Sequence, residues 1–367
     1  MKKCNGMLVA TLVYMGFAAE GSLGAQPSET VRLRDDAPSC TSCGVRLVPV
    51  RQDGHASGRG ALRGTVRLVV RDAANRLWVT YEDGGPPQVF QPDGRTAATP
   101  WRSGDGPGEF RMPAGVVPTG SGETLVFDAM LKRVNVFDAN LRFKSSRAVD
   151  VTPYDAVPFR AGVFVAADVR SGQGAGKRFH QLNQNGTVQE SFRLDGLEAS
   201  AANGRFERHH VAATSDVRCA VREWQFAIAC AAPGASSFTM RIEAPWFDTK
   251  PRRIGTANAP LSAHIKALVA LDNRHMALAV LRPSPTWEQH VVARNGPDGR
   301  SLEIEDYDGY FDTVIVVVDV VNRRLVSTTH VPQAVLYAPS RGHLAGLAAT
   351  DAAEQVVLWR VEASLPR

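Results

Sequence analysis

The densest set of potential metal-binding oxygens in the sequence is the run Asp306-Tyr307-Asp308-Gly309-Tyr310-Phe311-Asp312. Carboxylates at alternate positions beside a glycine suit calcium, a hard cation that collects oxygen ligands from a tightly turning loop. The run lacks the rest of the EF-hand pattern and its closing bidentate glutamate, so a solvated acidic loop with two packing tyrosines is the favoured reading. Histidines are scattered. Only His209 and His210 are neighbours, and alternation along a strand would send them to opposite faces. There is no HExxH, no GxSxG, no P-loop and no phosphate-cradling helix start. Ser121, between Gly120 and Gly122, reads as an ordinary turn. Catalysis from one contiguous motif is therefore excluded, whereas a site assembled from distant segments is not.

Cysteine chemistry is more specific. Apart from Cys4 the chain holds Cys40, Cys43, Cys219 and Cys230, an even count that argues for two disulfides in an oxidising compartment. Cys219 and Cys230 are equidistant from Trp224-Gln225. If that pair is a hairpin tip, the cysteines face each other across antiparallel strands at bridging distance. Cys40-Thr41-Ser42-Cys43 closes a tiny loop. A redox CxxC normally opens a helix in a βαβ unit, but this one precedes the strand-like Val45–Val50. Its spacing to the wide pair matches no common zinc finger.

The start of the chain explains the oxidising compartment. Met1-Lys2-Lys3, an apolar stretch from Met7 to Ala19 and the small residues Ser22-Leu23-Gly24-Ala25 form the pattern of a secretory signal peptide over 1–25. The apolar part is short for a membrane span. A mature chain from Gln26, periplasmic or secreted, is expected. Its charge would fall from +5 for the whole chain to +4, which is no nucleic-acid footprint. Neither nucleic acid nor a membrane span is expected, and the chain reads as a monomer. The densest basic cluster is Lys250, Arg252 and Arg253 around Pro251.

What must position these residues is an all-β scaffold. After residue 44, short runs rich in Val, Leu, Phe and Ala are broken by Gly, Pro, Asp or Asn, with no persuasive amphipathic helix. A unit recurs. Arg76–Thr80 leads through a loop to Gln88–Gln91 and a Pro92-Asp93-Gly94 turn; Thr124–Asp128 leads to Arg133–Phe137 and an Asp138-Ala139-Asn140 turn. Val163–Ala166, Phe179–Leu182 and Gln184-Asn185-Gly186 form a third copy. A repeated four-stranded meander is the mark of a β-propeller. Six blades are predicted: 66–103, 114–149, 156–194, 208–243, 263–331 and 334–362. The last shows only three strands, and Val45–Val50 is free to supply the fourth and close the ring. The expected organisation is thus a segment 26–44 carrying the CxxC and one six-bladed domain over 45–363.

Ser103-Gly104-Asp105-Gly106-Pro107-Gly108-Glu109-Phe110, followed by Pro113, Leu125-Val126-Phe127-Asp128 and Val134–Asp138, resembles the NHL-type repeat. It is most similar to the bacterial exported six-bladed β-propellers related to that repeat. The likeness is good over about 100–140, fair over 64–100 and weak beyond the third blade. It implies the fold and a tendency to bind something, and names no reaction. In it, Gly104, Gly106 and Gly108 would permit a tight crossover, Pro107 would stiffen it, and Phe110 would pack between blades.

Propellers place ligands around the central channel, on the face built from inter-blade loops and loops joining second and third strands. Segments 104–114, 151–156, 196–207, 245–262 and 282–312 should gather there, and loops on a rigid scaffold commonly carry binding. The longest, 282–312, includes Trp287 and His290 and exceeds what a hairpin needs. The candidate ligand-binding residues are Glu109, Arg111, Tyr154, Arg205, Arg208, Arg253, Trp287 and Tyr307. The reading is a non-catalytic exported propeller binding a peptide, protein or glycan, without a cofactor. The alternative is a calcium-dependent, lactonase-like hydrolase or lyase drawing on Glu109, Asp155, Asn203 and Asp306. A ligand that binds only the folded state raises its melting temperature. The mature oxidised protein is expected to melt identically in EDTA and in calcium; a large calcium-dependent rise would put the metal-dependent enzyme first.

Overall fold

A computed structural model describes residues 29–365 apart from 56–59, 150, 169–176, 195–196, 198–207, 249–258, 297–298, 305 and 350–353. The predicted signal peptide therefore lies outside the described residues, as do Lys250, Arg252 and Arg253. Two strands, β1 (Glu29–Arg34) and β2 (Gly44–Asp53), precede the blades. Blade one holds β3 (Val66–Arg71), β4 (Leu77–Tyr81) and β5 (Gln88–Phe90). Blade two holds β6 (Pro113–Pro118), β7 (Thr124–Asp128), β8 (Arg133–Phe137) and β9 (Phe143–Ala148). Blade three holds β10 (Thr152–Phe159), β11 (Gly162–Asp168), β12 (Phe179–Leu182) and β13 (Val188–Phe192). Blade four holds β14 (His209–Ala213), β15 (Arg218–Arg222), β16 (Gln225–Ala231) and β17 (Phe238–Glu243). Blade five begins with β18 (His264–Ala270) and β19 (His275–Pro283). A hairpin of β20 (Val291–Gly296) and β21 (Gly299–Ile304) and a one-turn helix α1 (Tyr307–Tyr310) follow. The blade then resumes with β22 (Phe311–Asp319) and β23 (Arg324–Val331). Blade six holds β24 (Tyr337–Ser340), β25 (His343–Ala349) and β26 (Glu354–Ser364).

The chain is a six-bladed β-propeller. Its first strands contact one another in ring order, β3 to β6 and onward through β10, β14, β18 and β24 back to β3. Burial follows position within each blade. Second and third strands have a neighbouring blade on both faces and are largely apolar, such as Leu77–Tyr81 and Thr313–Asp319, buried throughout. Fourth strands meet solvent and turn polar, as in Phe143–Ala148 and Val188–Phe192. Turns repeat one device in which an Asp or Asn side chain accepts backbone N–H groups two and four residues on. Asp72 accepts from Ala74 and Arg76, Asp138 from Asn140 and Arg142, and Asn183 from Asn185 and Thr187.

Ring closure follows the expected route and goes further. Strand β2 pairs antiparallel with β26 along its length, supplying the fourth strand of blade six. Strand β1, unforeseen in the sequence, adds to blade four as a fifth strand parallel to β17. The connection between them crosses the edge of blade five. Ser39 N donates to Leu325 O (2.9 Å), and Asp35 accepts from Thr328 Oγ1 and Trp246 Nε1, both at 2.7 Å. The Cys40–Cys43 disulfide closes the crossing, with Cα atoms 5.3 Å apart. Blades four, five and six are thus strapped together from outside by 29–53.

Cys219 and Cys230 are joined, directly opposite on β15 and β16 with Cα atoms 4.1 Å apart. The tip is Glu223-Trp224 rather than Trp224-Gln225, and an irregularity at Val221/Arg222 restores the register. Two further details differ from the sequence reading. Residues 151–156, expected as a rim loop, mostly form the first half of β10, whose Pro153 and Pro158 obscured the strand pattern. In blade one only an isolated bridge between Phe90 and Thr96 follows β5.

Candidate functional site

First strands run from the face carrying the inter-blade loops, here called upper, toward the opposite face. They enclose a cavity of about 870 Å³ on the ring axis. Its middle is walled by Leu68, Val70, Val116, Ala156, Val211 and Leu268, and its two ends are polar.

A repeated backbone irregularity builds the upper end. In blades one, two, three and five the pairing of first with second strand slips by a residue, leaving Arg67, Ala114, Tyr154 and Lys266 as extras. A bulge bends its strand and re-aims side chains, and Arg67, Tyr154 and Lys266 all line the cavity. Arg67 Nη1 pairs with Glu82 Oε2 at 3.0 Å, while Lys266 Nζ pairs with Glu223 Oε1 at 3.0 Å. Glu82 also binds Arg208. Glu82 follows β4 of blade one and Arg208 leads into blade four, so this bridge spans the channel mouth between opposite blades.

Beside it, His210 Nδ1 lies 3.9 Å from Asp155 Oδ2. Asp155 also ties two blades, accepting from Val211 N at 2.9 Å and from Ala156 N at 2.8 Å. Burial pushes its carboxyl up to about 6, against those two hydrogen bonds. Burial likewise holds His210 neutral down to about 3; Glu223 opposes this, and Lys266, Arg208 and His209 reinforce it. The two histidines point apart, His209 packing edge-on against Phe179 at 5.7 Å. Blade contacts at this level are stitched by Glu223 O accepting from Ile265 N (2.7 Å) and Tyr337 Oη donating to Val66 O (2.8 Å).

The structure divides the eight sequence candidates. Tyr154 and Arg208 line the cavity. Tyr307 is half-exposed, its ring 5.1 Å from Phe311, and burial together with the charge of Glu223 raises its hydroxyl pKa. Trp287 packs edge-on against Tyr310 (6.0 Å) and lines a separate cavity of about 800 Å³ with Trp246 and Phe247. Glu109 and Arg111 brace the glycine-rich crossover. Glu109 accepts from Gly106 N (2.7 Å) and Arg102 Nε (2.5 Å), and Arg111 pairs with Asp105 at 2.8 Å. Gly108, at φ 74°, supplies the positive dihedral this crossover needs, and Phe110 is fully buried against Trp101 and Phe137. Arg205, Arg253 and Asn203 lie outside the described residues.

The acidic run does not converge. Asp306 caps α1 through Gly309 N (3.1 Å) and meets His290 Nδ1 at 3.0 Å, whereas Asp312 faces Arg282 at 3.7 Å. Among the described residues no three His, Cys, Asp or Glu side chains are grouped to hold a metal ion. Sequence reasoning missed Arg67, Glu82, His210's setting, Glu223 and Lys266. A signal existed: Arg67 and Lys266 are charged residues near the start of otherwise apolar strands, VRLVVR and HIKALVA.

No family model matches the chain, and no curated protein matches its sequence. Solved structures do match in fold. A protein of Bacteroides vulgatus from the DUF4221 family aligns at TM-score 0.54 and 9% identity, covering 88% of this chain and 99% of that one. A protein of Bacteroides fragilis described as exported aligns at TM-score 0.51 and 9% identity, covering 92% and 99%. At such identity the likeness shows architecture alone. The Asp155 carboxyl should titrate near 6 when followed by carbon NMR; titration at the ordinary value near 4 would contradict its burial at the mouth. By architecture and by these likenesses, the chain is a six-bladed β-propeller whose polar channel mouth is assembled from blades one, three, four and five.

Proposed function

We propose that this chain is an exported, non-catalytic propeller that binds a peptide, protein or glycan on its upper face, with the channel mouth as the floor of the site. One observation carries the reading: the Arg67–Glu82–Arg208 triad spans the mouth between opposite blades, next to Tyr154 and the Lys266–Glu223 pair. Paired charges of both signs around an aromatic side chain suit a ligand that presents alternating donors and acceptors. The absence of catalytic sequence motifs supports binding over turnover. Export is supported by the leader-like start, two disulfides in the fold and a structural neighbour described as exported. No helix among the described residues is long and apolar enough to cross a membrane. The relation to NHL-type repeats rests on the 103–138 motif.

The 282–312 insertion belongs to the same reading, because its α1 brings Tyr307 within the field of Glu223. Arrays of immobilised peptides and of oligosaccharides supply the probes. The oxidised protein should retain a defined subset, and Arg208→Ala or Tyr154→Ala should weaken that binding about tenfold or more, in the range of central interface residues. Removal of the β20–β21 hairpin should weaken it as well. Undiminished binding by the folded Arg208→Ala and Tyr154→Ala variants would overturn the site.

A further inference from the structure

The two ends of the channel differ in charge compensation. At the upper end every cation among the described residues that lines the cavity has a carboxylate partner: Arg67 and Arg208 share Glu82, and Lys266 holds Glu223. At the lower end Arg71 and Arg341 line the same cavity, and their hydrogen-bond partners are neutral. Arg71 Nη2 donates to Asn75 Oδ1 at 2.6 Å and its Nη1 lies 3.4 Å from His343 Nε2. Arg341 Nη2 donates to Asn273 Oδ1 at 2.9 Å. The nearby acids are committed elsewhere: Asp72 to Arg76, Asp53 to Arg51, and Asp272 to His275. His343 ties the Arg71 side chain to the β24–β25 turn, with Nδ1 2.9 Å from the backbone oxygen of Arg341 and 3.2 Å from Ser340 Oγ.

We infer that the lower mouth of the channel is an oxyanion-binding site, built from Arg71 and Arg341 with Ser340 beside them and His343 bracing the Arg71 side chain, that takes a carboxylate, phosphate or sulfate group. Guanidinium groups present several donors in a fixed fork and bind such groups through charge-assisted hydrogen bonds. Two of them that form no ion pair among the described residues, at the mouth of a partly desolvated cavity, form a focused positive potential. Burial, aided by the neighbouring Arg51 and opposed by Asp72, makes the Arg71 proton easier to lose; burial with Arg71 and Arg360, opposed by the hydrogen bond to Arg341 O, does the same for His343. Arg71 lies on the last residue of β3 and Arg341 on the β24–β25 turn, so blades one and six meet at the site and an anion would bridge them.

The test is direct titration calorimetry of the oxidised protein with inorganic phosphate, sulfate and a glucuronic-acid disaccharide, at constant ionic strength set with chloride. Saturable binding is expected for at least one of them. Arg71→Gln with Arg341→Gln should weaken it tenfold or more, while Arg32→Gln, on the exposed outer strand β1, leaves it within about twofold. Arg71→Lys with Arg341→Lys, which keeps the charge and loses the fork, should fall between. Melting curves without anion establish that each variant is folded. Tightest binding of phosphate or sulfate would assign the site to a free ion, and tightest binding of the disaccharide to the acidic group of a larger molecule. No saturable binding of any probe, or equal binding by the folded glutamine double variant, would overturn the inference. Loss of upper-face ligands would leave this result untouched, since the sites occupy opposite ends of the channel.

Discussion

A ring of blades has one seam, and everything else in this structure depends on how that seam is held. Each blade covers the faces of its neighbours, so an open ring would expose two broad apolar faces and an unpaired strand edge. Here the first and last parts of the chain meet in one sheet, with β2 paired along β26. The strap adds a second hold two blades away, where β1 extends blade four. Between them the chain crosses blade five through the contacts of Asp35, Ser39 and the Cys40–Cys43 loop. Closure is therefore spread over three blades.

With the ring closed, small local irregularities acquire functional meaning. The bulge near the top of four first strands places Arg67, Ala114, Tyr154 and Lys266 at equivalent heights around the axis. Blade two uses that position for a methyl group, whereas three others use it for a cation or a phenol. Repetition thus supplies the geometry and divergence supplies the chemistry. The Glu82 bridge to Arg208 depends on the same closure, because its partners sit on opposite sides of the mouth and belong to blades remote in sequence. The lower end has the same scaffold, but among the described residues Arg71 and Arg341 there form no ion pair and bond neutral partners, so the two ends differ in charge compensation.

Fold was far more legible in the sequence than site. Strand runs and Asp/Asn turns are local signals, and the cysteine spacing around residue 224 encodes a hairpin directly. Closure by Val45–Val50 was legible because blade six lacked a strand. The parallel β1 was not, since Glu29–Arg34 alternates polar and apolar residues without a turn signal linking it to a partner. Prolines hid the first half of β10. Site residues were legible only in part: Tyr154 and Arg208 line the cavity, and others do not. Glu109 and Arg111 stand in the most distinctive motif of the chain, yet that motif shapes a crossover, and its conspicuous glycines serve backbone geometry. Arg67, Glu82, Asp155, His210, Glu223 and Lys266 come from four blades and converge only after closure, so no spacing along the chain announces them.

Amide hydrogen exchange tests the closure most directly, because protected amides report how cooperatively a segment opens. If the strap holds the ring, amides of 44–53 and 354–364 should exchange slowly and at the same rate as the buried second and third strands of the blades. Fast exchange of 44–53 while the blades stay protected would show a ring that holds itself without the strap, contradicting the account.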